Sequence, residues 1–307
     1  SRDATGEIAA RIADDDARLR VVRAPDLPDG WFGKPWACLT GARGARGEIL
    51  CFMDADTTQS PDLLPRIVNA MRTRELGMLS VAGAQEMHTF WETLLQPQVF
   101  SMLLMRYGGT ESVNRSRNAW DKIANGQCIA IRRDAYDRVG GHAAVRDKVA
   151  EDLMLAQRLF VAGVPTALVL GTTQLSTRMY VSLGALVRGW RKNIFAGGID
   201  ALPPLRGTRA VFPVALLVFP LAELAPVTAL LTRAAGMFWL GGATLLWAWT
   251  STTALLVWWL AAYLRARRSP LWAPLFPLGA TVLLWIILGA IVRGKRVAWK
   301  GREYHSR

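Results

Sequence analysis

The chain has 307 residues, a net charge of +13 and a hydrophobic fraction of 51%, with 13 tryptophans and 3 cysteines. Three widely spaced cysteines without a CxxC pair exclude a disulfide-held miniprotein or a zinc module and read as core residues in a reducing compartment. The basic balance admits an anionic membrane surface or a phosphorylated ligand; no nucleic-acid module or aromatic-rich basic stripe accompanies it, so nucleic acid is not expected as a partner.

Residues 1–17 are expected to form a helix, capped by Asp3, with Ile8 and Ile12 on one face and Asp14-Asp15-Asp16 at its end. Leu19 to Val22 reads as a short strand, 25–33 as a loop and 34–45 as a helix leading to a strand at 48–53. Ser60-Pro61 is a helix start, with Ser as cap and Pro at the first helical position. The helix that follows, 61–72, places Leu63, Leu64, Ile67, Val68 and Met71 on one side. A strand is expected at 76–81. This β-α-β-α-β alternation indicates an α/β domain with a mostly parallel, Rossmann-like sheet.

Thr89 to Met105 is an apolar helix with two open readings, a helix on the bilayer surface or a core helix. Residues 107–124 are polar and irregular. A strand at 128–131, a short helix at 133–139 and a helix from Glu151 to Val161, ended by Gly163, come next. A strand at 166–170 and a helix at 180–196, ended by Gly197-Gly198, complete the first region.

Charge nearly vanishes in three stretches after Val211, about 211–231, 237–264 and 271–292. About 20 apolar residues cross a hydrocarbon core. The chain therefore divides into a soluble domain, 1–205, and a membrane region, 206–307, with three hydrophobic segments and a basic tail. If all three segments span, Arg293 to Arg296 falls opposite the Arg265–Arg268 cluster, against the positive-inside tendency. Two spanning segments and one re-entrant or interfacial, proline-rich segment are expected instead.

Four groups of residues carry chemistry. The apolar run Ile49 to Met53 ends in Asp54 and Asp56, at the carboxyl end of a buried strand, where open α/β sheets bind ligands. Two carboxylates there suit a hard divalent cation held against a diphosphate. Gly33-Lys34 lies in a glycine-bearing loop, where a lysine charge suits phosphate; a solvated turn is the plainer reading. Glu151-Asp152 opens a helix, which is ordinary dipole complementation, or supplies a general base. Arg188-Gly189-Trp190-Arg191-Lys192 could clamp a diphosphate and stack on a ring, or form a basic face at the membrane surface. His88, His142 and His305 lack metal-ligand spacing.

As a set, Trp31 to Lys34, Gly47 to Thr57, Glu151-Asp152 and Arg188 to Arg191 resemble the motifs of membrane-bound family-2 glycosyltransferases with a GT-A fold. The likeness runs toward lipid-modifying members, ceramide glucosyltransferases and bacterial carotenoid- and hopanoid-associated glycosyltransferases, whose tail Trp299 to Tyr304 is similar to. It implies an inverting hexosyl transfer from a UDP-sugar donor to a membrane lipid acceptor. Mg2+ or Mn2+ would sit on Asp56 with Asp54, and Asp152, beside Glu151, would be the base. Lys34, Asp54, Arg188, Trp190 and Arg191 would hold the nucleotide-sugar. The resemblance also implies an integral protein of the bacterial inner membrane with its catalytic domain on the cytoplasmic side.

Two departures stand out. Ser1-Arg2-Asp3 resembles the end of the family's D-D-x-S-x-D motif, so its first strand and uracil-contacting Asp are expected to precede this sequence. Lys192 takes the place of the final Trp in (Q/R)-x-x-R-W, and Trp190 is the expected substitute. A polyprenyl-phosphate sugar synthase and a non-catalytic, membrane-tethered binding protein remain as alternatives; the membrane region is too small for the channel of a processive polysaccharide synthase.

Overall fold

The computed structural model describes residues 4–203, 205–237, 241–294, 296–299 and 302–305. In chain order the first region contains α1 (Thr5–Asp15), α2 (Gly33–Gly44), β1 (Ile49–Met53), β2 (Thr57–Gln59), α3 (Leu63–Thr73), β3 (Met78–Ala82) and β4 (Ala84–Gln85). It continues with α4 (Phe90–Tyr107), α5 (Thr110–Arg115), β5 (Cys128–Arg132), α6 (Arg133–Arg138), α7 (Glu151–Val161), β6 (Thr166–Leu170), β7 (Leu175–Thr177), α8 (Leu183–Lys192) and the short α9 (Gly198–Asp200). Three long helices follow, α10 (Arg206–Ala234), α11 (Gly242–Arg265) and α12 (Phe276–Arg293), and then a paired β8 (Arg296–Trp299) and β9 (Arg302–His305).

The main sheet has the order β1-β5-β3-β6. β3 and β6 pair in parallel, whereas β5 lies antiparallel to both β1 and β3. β1, β3 and β6 thus run the same way, as the alternating pattern requires, but the sheet is mixed and not mostly parallel in its pairing. Sequence order did not disclose that β5 inserts between β1 and β3. The sheet is buried on both faces: α3 covers one with Leu63, Ile67 and Met71, and α7 covers the other with Leu155 and Leu159. That double cover is why Met78-Leu79-Ser80-Val81 and Cys128-Ile129-Ala130-Ile131 are buried without alternation.

Several expectations are corrected. Leu19 to Val22 forms no strand; its apolar side chains are exposed and no neighbouring strand pairs with it. The expected cap Asp3 lies outside the described residues. The helix expected at 180–196 begins at Leu183 and passes into a π-helix, Asn193–Gly197. Cys128 is buried but Cys51 is exposed, because β1 is the sheet's edge. A small sheet of order β2-β7-β4 was not anticipated, since its strands are only two or three residues long.

α4 begins with a capping box: Thr89 Oγ1 accepts from the Glu92 N–H at 3.3 Å, and Glu92 Oε2 accepts from the Thr89 N–H at 2.6 Å. Its apolar face is buried with that of α8 against α12, in one cluster of Leu95, Val99, Leu186, Val187, Trp190, Leu283, Ile286, Ile287 and Ala290. The core-helix reading therefore fits the first half of α4, up to Val99. Tyr263 Oη donates to the Thr93 carbonyl at 3.2 Å and Gln98 Nε2 to the Phe276 carbonyl at 3.2 Å, so α4 is bonded to the long helices as well as packed on them.

Arg206–Ala234, Gly242–Arg265 and Pro270–Arg293 are each long and apolar enough to cross a membrane. α10 stays helical through Pro213, Pro220 and Pro226. Such prolines are tolerated where neighbouring helices take up the freed backbone groups, and Pro220 and Pro226 are indeed buried.

Candidate active site

The sheet delivers Asp54 at the carboxyl end of β1 and the turn after it fixes the second acid. Thr57 Oγ1 donates to the Asp54 carbonyl at 2.7 Å, and Thr177 Oγ1, from β7, donates to the Asp56 carbonyl at 3.0 Å. The small sheet thus holds the Asp-x-Asp backbone from both sides. On the neighbouring strand the segment entering β5 runs beside it, with the Asp54 N–H reaching the Gln127 carbonyl at 3.4 Å.

Four charged side chains converge here from three distant parts of the sequence. Lys34 Nζ, in the first turn of α2, lies 2.8 Å from Asp54 Oδ1 and 2.8 Å from Glu151 Oε1. Asp152 Oδ2 accepts from the Gly126 N–H at 2.8 Å, and its Oδ1 from the Leu153 N–H at 2.8 Å. These bonds orient the carboxylate at the amino end of α7, where the helix dipole favours negative charge. Gly126 is required by close approach: a Cβ there would lie 2.8 Å from Lys34 Nζ, 3.0 Å from Asp152 Oδ2 and 3.3 Å from Asp54 Oδ2.

The electrostatics follow from this crowding. Burial works against the Lys34 ammonium, but the Glu151, Asp152 and Asp54 carboxylates outweigh it and raise its pKa. Burial raises the Glu151 carboxyl, which Lys34 opposes. Burial also raises Asp56, and the like charge of Asp54 adds to the effect. A divalent cation would relieve that repulsion, and the pair offers hard oxygen donors that fit Mg2+ or Mn2+. Among the described residues no group of three or more acidic, His or Cys side chains is arranged to hold a metal. The protein's share would be these two carboxylates, leaving further ligand positions for a phosphorylated substrate.

The basic motif on α8 divides between two faces. Lys192 is turned toward the acids: burial lowers its pKa while Glu151, Asp152 and Asp54 act to raise it. Trp190 is only 5% exposed and packs edge-on against Phe100 and Tyr180 in the cluster under α12. Arg191 lies over the Trp285 ring of α12 at 4.4 Å. Arg188 is exposed on the α8 surface. The structure therefore brings Lys34, Asp54, Glu151 and Asp152 together, keeps Asp56 adjacent, and gives Trp190 and Arg191 their contacts toward the membrane helices.

Sequence reasoning missed Gly126, although Asn125-Gly126 before a strand is a turn signal. It also missed Tyr180, whose hydroxyl is raised by burial and by the Asp56 charge. His142 is a core residue: it is buried, its Nδ1 is 3.0 Å from Tyr136 Oη, and its ring packs on Phe52. A groove of about 440 Å3 between α2 and the free edge of β1 is lined by Ala37, Cys38, Cys51, Phe52 and others, and carries none of the acids.

Comparison with known proteins adds the following. Residues 1–140 match Glycosyl transferase family 2. The chain is 26% identical over 207 residues, 66% of its length and 53% of the relative's, to the 4,4'-diaponeurosporenoate glycosyltransferase of Staphylococcus haemolyticus (strain JCSC1435). It is 23% identical over 206 residues, 66% of its length and 54% of the relative's, to the protein of the same name from Staphylococcus aureus (strain USA300). Among solved structures, mannosyl-3-phosphoglycerate synthase from Rubrobacter xylanophilus aligns at a TM-score of 0.35 and 16% identity, over 67% of this chain and 63% of that one. The chain spans about half the length of the curated relatives it matches. The part of the chain that resembles glycosyl transferase family 2 thus holds most of the mixed sheet, and helices long and apolar enough to span a membrane follow it.

Proposed function

We propose that this chain is a membrane-bound hexosyltransferase that uses a UDP-sugar and glycosylates a lipid acceptor of carotenoid, hopanoid or sphingolipid-like type, inverting the anomeric centre. The observation that carries this reading is the meeting of Lys34, Asp54 and Glu151 with an Asp152 carboxylate held by the Gly126 N–H, on a domain packed directly against the long apolar helices. The carotenoid names of the relatives support the acceptor class.

Asp152 takes the proton from the acceptor's hydroxyl or carboxyl. The acceptor oxygen forms its bond to the anomeric carbon as the bond to the diphosphate oxygen breaks. A single displacement needs one base and no carboxylate nucleophile. Asp54 and Asp56 would hold Mg2+ or Mn2+, which stabilises the departing diphosphate when bound. Lys34 and Lys192 bring positive charge to the same region, and Glu151 positions Lys34. Arg188, exposed on α8 one turn before Lys192, is assigned to the nucleotide. The catalytic domain is assigned to the cytoplasmic face of a bacterial inner membrane. Of the three apolar segments the third, the one most covered by protein, is the one we assign to the interface.

Replacing the base tests the reading. Asp152→Asn is expected to lower kcat by about 10²–10⁴-fold while calorimetry still detects UDP binding in Mn2+. Undiminished turnover would remove Asp152 from its role. An acceptor phosphate, as in polyprenyl-phosphate sugar synthesis, needs no base and predicts that outcome. Absence of UDP binding by the unsubstituted full-length protein would favour a tethered binding protein.

A further inference from the structure

The apolar face of α4 does not stop where the protein stops covering it. Leu95 and Val99 are buried against α12 and α8, and Leu103 continues the same i, i+4 stripe. Phe100 packs on Trp190, and Leu104 follows it one turn later. Yet Leu103 is 38%, Leu104 48% and Met105 66% exposed. Three consecutive large apolar side chains, open to the outside and continuous with the face that binds the membrane helices, are what a lipid-contacting edge requires.

The same turn is tied to a segment that packs on the helix carrying Asp152. Arg106 Nη1 lies 3.1 Å from Asp121 Oδ1 and Nη2 donates to the Trp120 carbonyl at 3.2 Å, which ties the end of α4 to the segment 119–121. That segment packs on α7, the helix that opens with Asp152, and Lys122 lies over the Phe160 ring of α7 at 4.7 Å. Tyr107 is the last residue of α4 and follows Arg106 directly. Its hydroxyl is raised chiefly by burial, and the Asp152 charge reaches it.

We propose that the turn Leu103 to Met105 sits in the acyl layer of the bilayer and forms the lip over which a lipid acceptor's polar end passes, beside Tyr107, to Asp152. The proposal rests on the lipid-acceptor reading above and adds the route. A phospholipid acyl layer is the stated occupant because the lip extends a face already packed on apolar, membrane-length helices; a protein partner would need no such continuity.

The lipid contact can be read without any sugar transfer. The full-length protein, carrying p-benzoylphenylalanine in place of Leu104 or of Met105, is reconstituted into phosphatidylcholine–phosphatidylglycerol vesicles containing tritiated phosphatidylcholine and irradiated. Both positions are expected to become labelled at least fivefold above the same substitution at Glu111, whose side chain is 77% exposed and lies past the end of α4. Labelling at the Glu111 level, or crosslinking to protein alone, overturns the lip. The route is read separately: Leu104→Asp with Met105→Asp should reduce transfer to a vesicle-borne isoprenoid carboxylate at least tenfold and leave UDP binding unchanged. Unchanged transfer by that variant overturns the route. If the unsubstituted protein transfers no sugar, the functional reading fails while the labelling experiment still decides the lip.

Discussion

The acidic cluster and the seam beneath α12 lie on opposite sides of one helix, α8, and are built by opposite means. Lys192 leaves α8 toward the acids, whereas Trp190 and Arg191 leave it toward α12. On the first side charged groups are held apart and together by a handful of hydrogen bonds around a glycine. On the second, Leu283, Ile286, Ile287 and Ala290 are fully buried and apolar. The lipid transferase we propose needs both, a polar centre and an apolar joint that keeps that centre at the bilayer. Stability should therefore reside in the seam and chemistry in the cluster, and substitutions can test that separation.

The largest effect is expected in the seam. Leu283→Ala empties a fully buried site between α12 and the helices α4 and α8, at a cost of about 2–5 kcal/mol. Thermal unfolding in detergent should show it, with UDP affinity unchanged below the transition. The reverse pattern is expected at the cluster. Gly126→Ala drives a methyl group toward Lys34 Nζ and Asp152 Oδ2, both ends of side chains that can move, so stability changes little. If Asp152 is the base we propose, its displacement should cost about 10²-fold in kcat/KM. If Leu283→Ala weakened UDP binding, or Gly126→Ala unfolded the protein, the two regions would not be separable.

Much of this was legible in the sequence because it rests on short patterns. The run into Asp54 and Asp56, the acid pair opening α7 and the three apolar segments are each local signals. What was not legible depends on pairing and on which way a side chain turns. β5 lies between β1 and β3, a fact of long-range register that no window contains. The α8 motif reads as one cationic clamp, yet a helix turns about 100° per residue, so Trp190 and Lys192 point to nearly opposite sides and Arg191 follows Trp190. Gly126 carries no side chain to notice; its importance is the space it leaves for three others.

An intermediate effect joins the two regions. Glu92, wholly buried at the start of α4, pairs with Arg178 Nε at 3.0 Å, next to the Thr177 that holds the Asp56 backbone. Burial works to raise this carboxyl, but the Arg178 guanidinium and the Thr89 and His88 N–H groups outweigh it and hold it at about 2, below the ordinary 4.5. A depressed carboxylate contributes stability above its unfolded pKa and loses it as pH falls toward the folded one. Melting temperature should drop between pH 4.5 and about 2, and Glu92→Gln should flatten that drop. An equally steep acid limb in the variant would assign the loss to other groups. At neutral pH the same substitution should cost about 1.5–3 kcal/mol, the range for a hydrogen bond to a charged group.

The smallest effect is the most discriminating for α8. Family resemblance gives Arg191 to the nucleotide, whereas its guanidinium lies over Trp285, and a Cβ on Gly289 would come within 2.5 Å of its Nε. Arg191→Lys keeps the charge but loses the flat stacking surface, a change of about 0.5–1 kcal/mol at a half-exposed ring. That loss should appear in thermal stability, with UDP affinity in Mn2+ altered less than about twofold, since under about 0.4 kcal/mol separates the two states at that ratio. Lys192→Met should do the opposite, weakening UDP binding several-fold, because it removes a cation that interacts with the acids. Should Arg191→Lys weaken UDP binding more than Lys192→Met does, the two faces of α8 would have to be exchanged. The seam would then hold the nucleotide, and Lys192 would be the anchor.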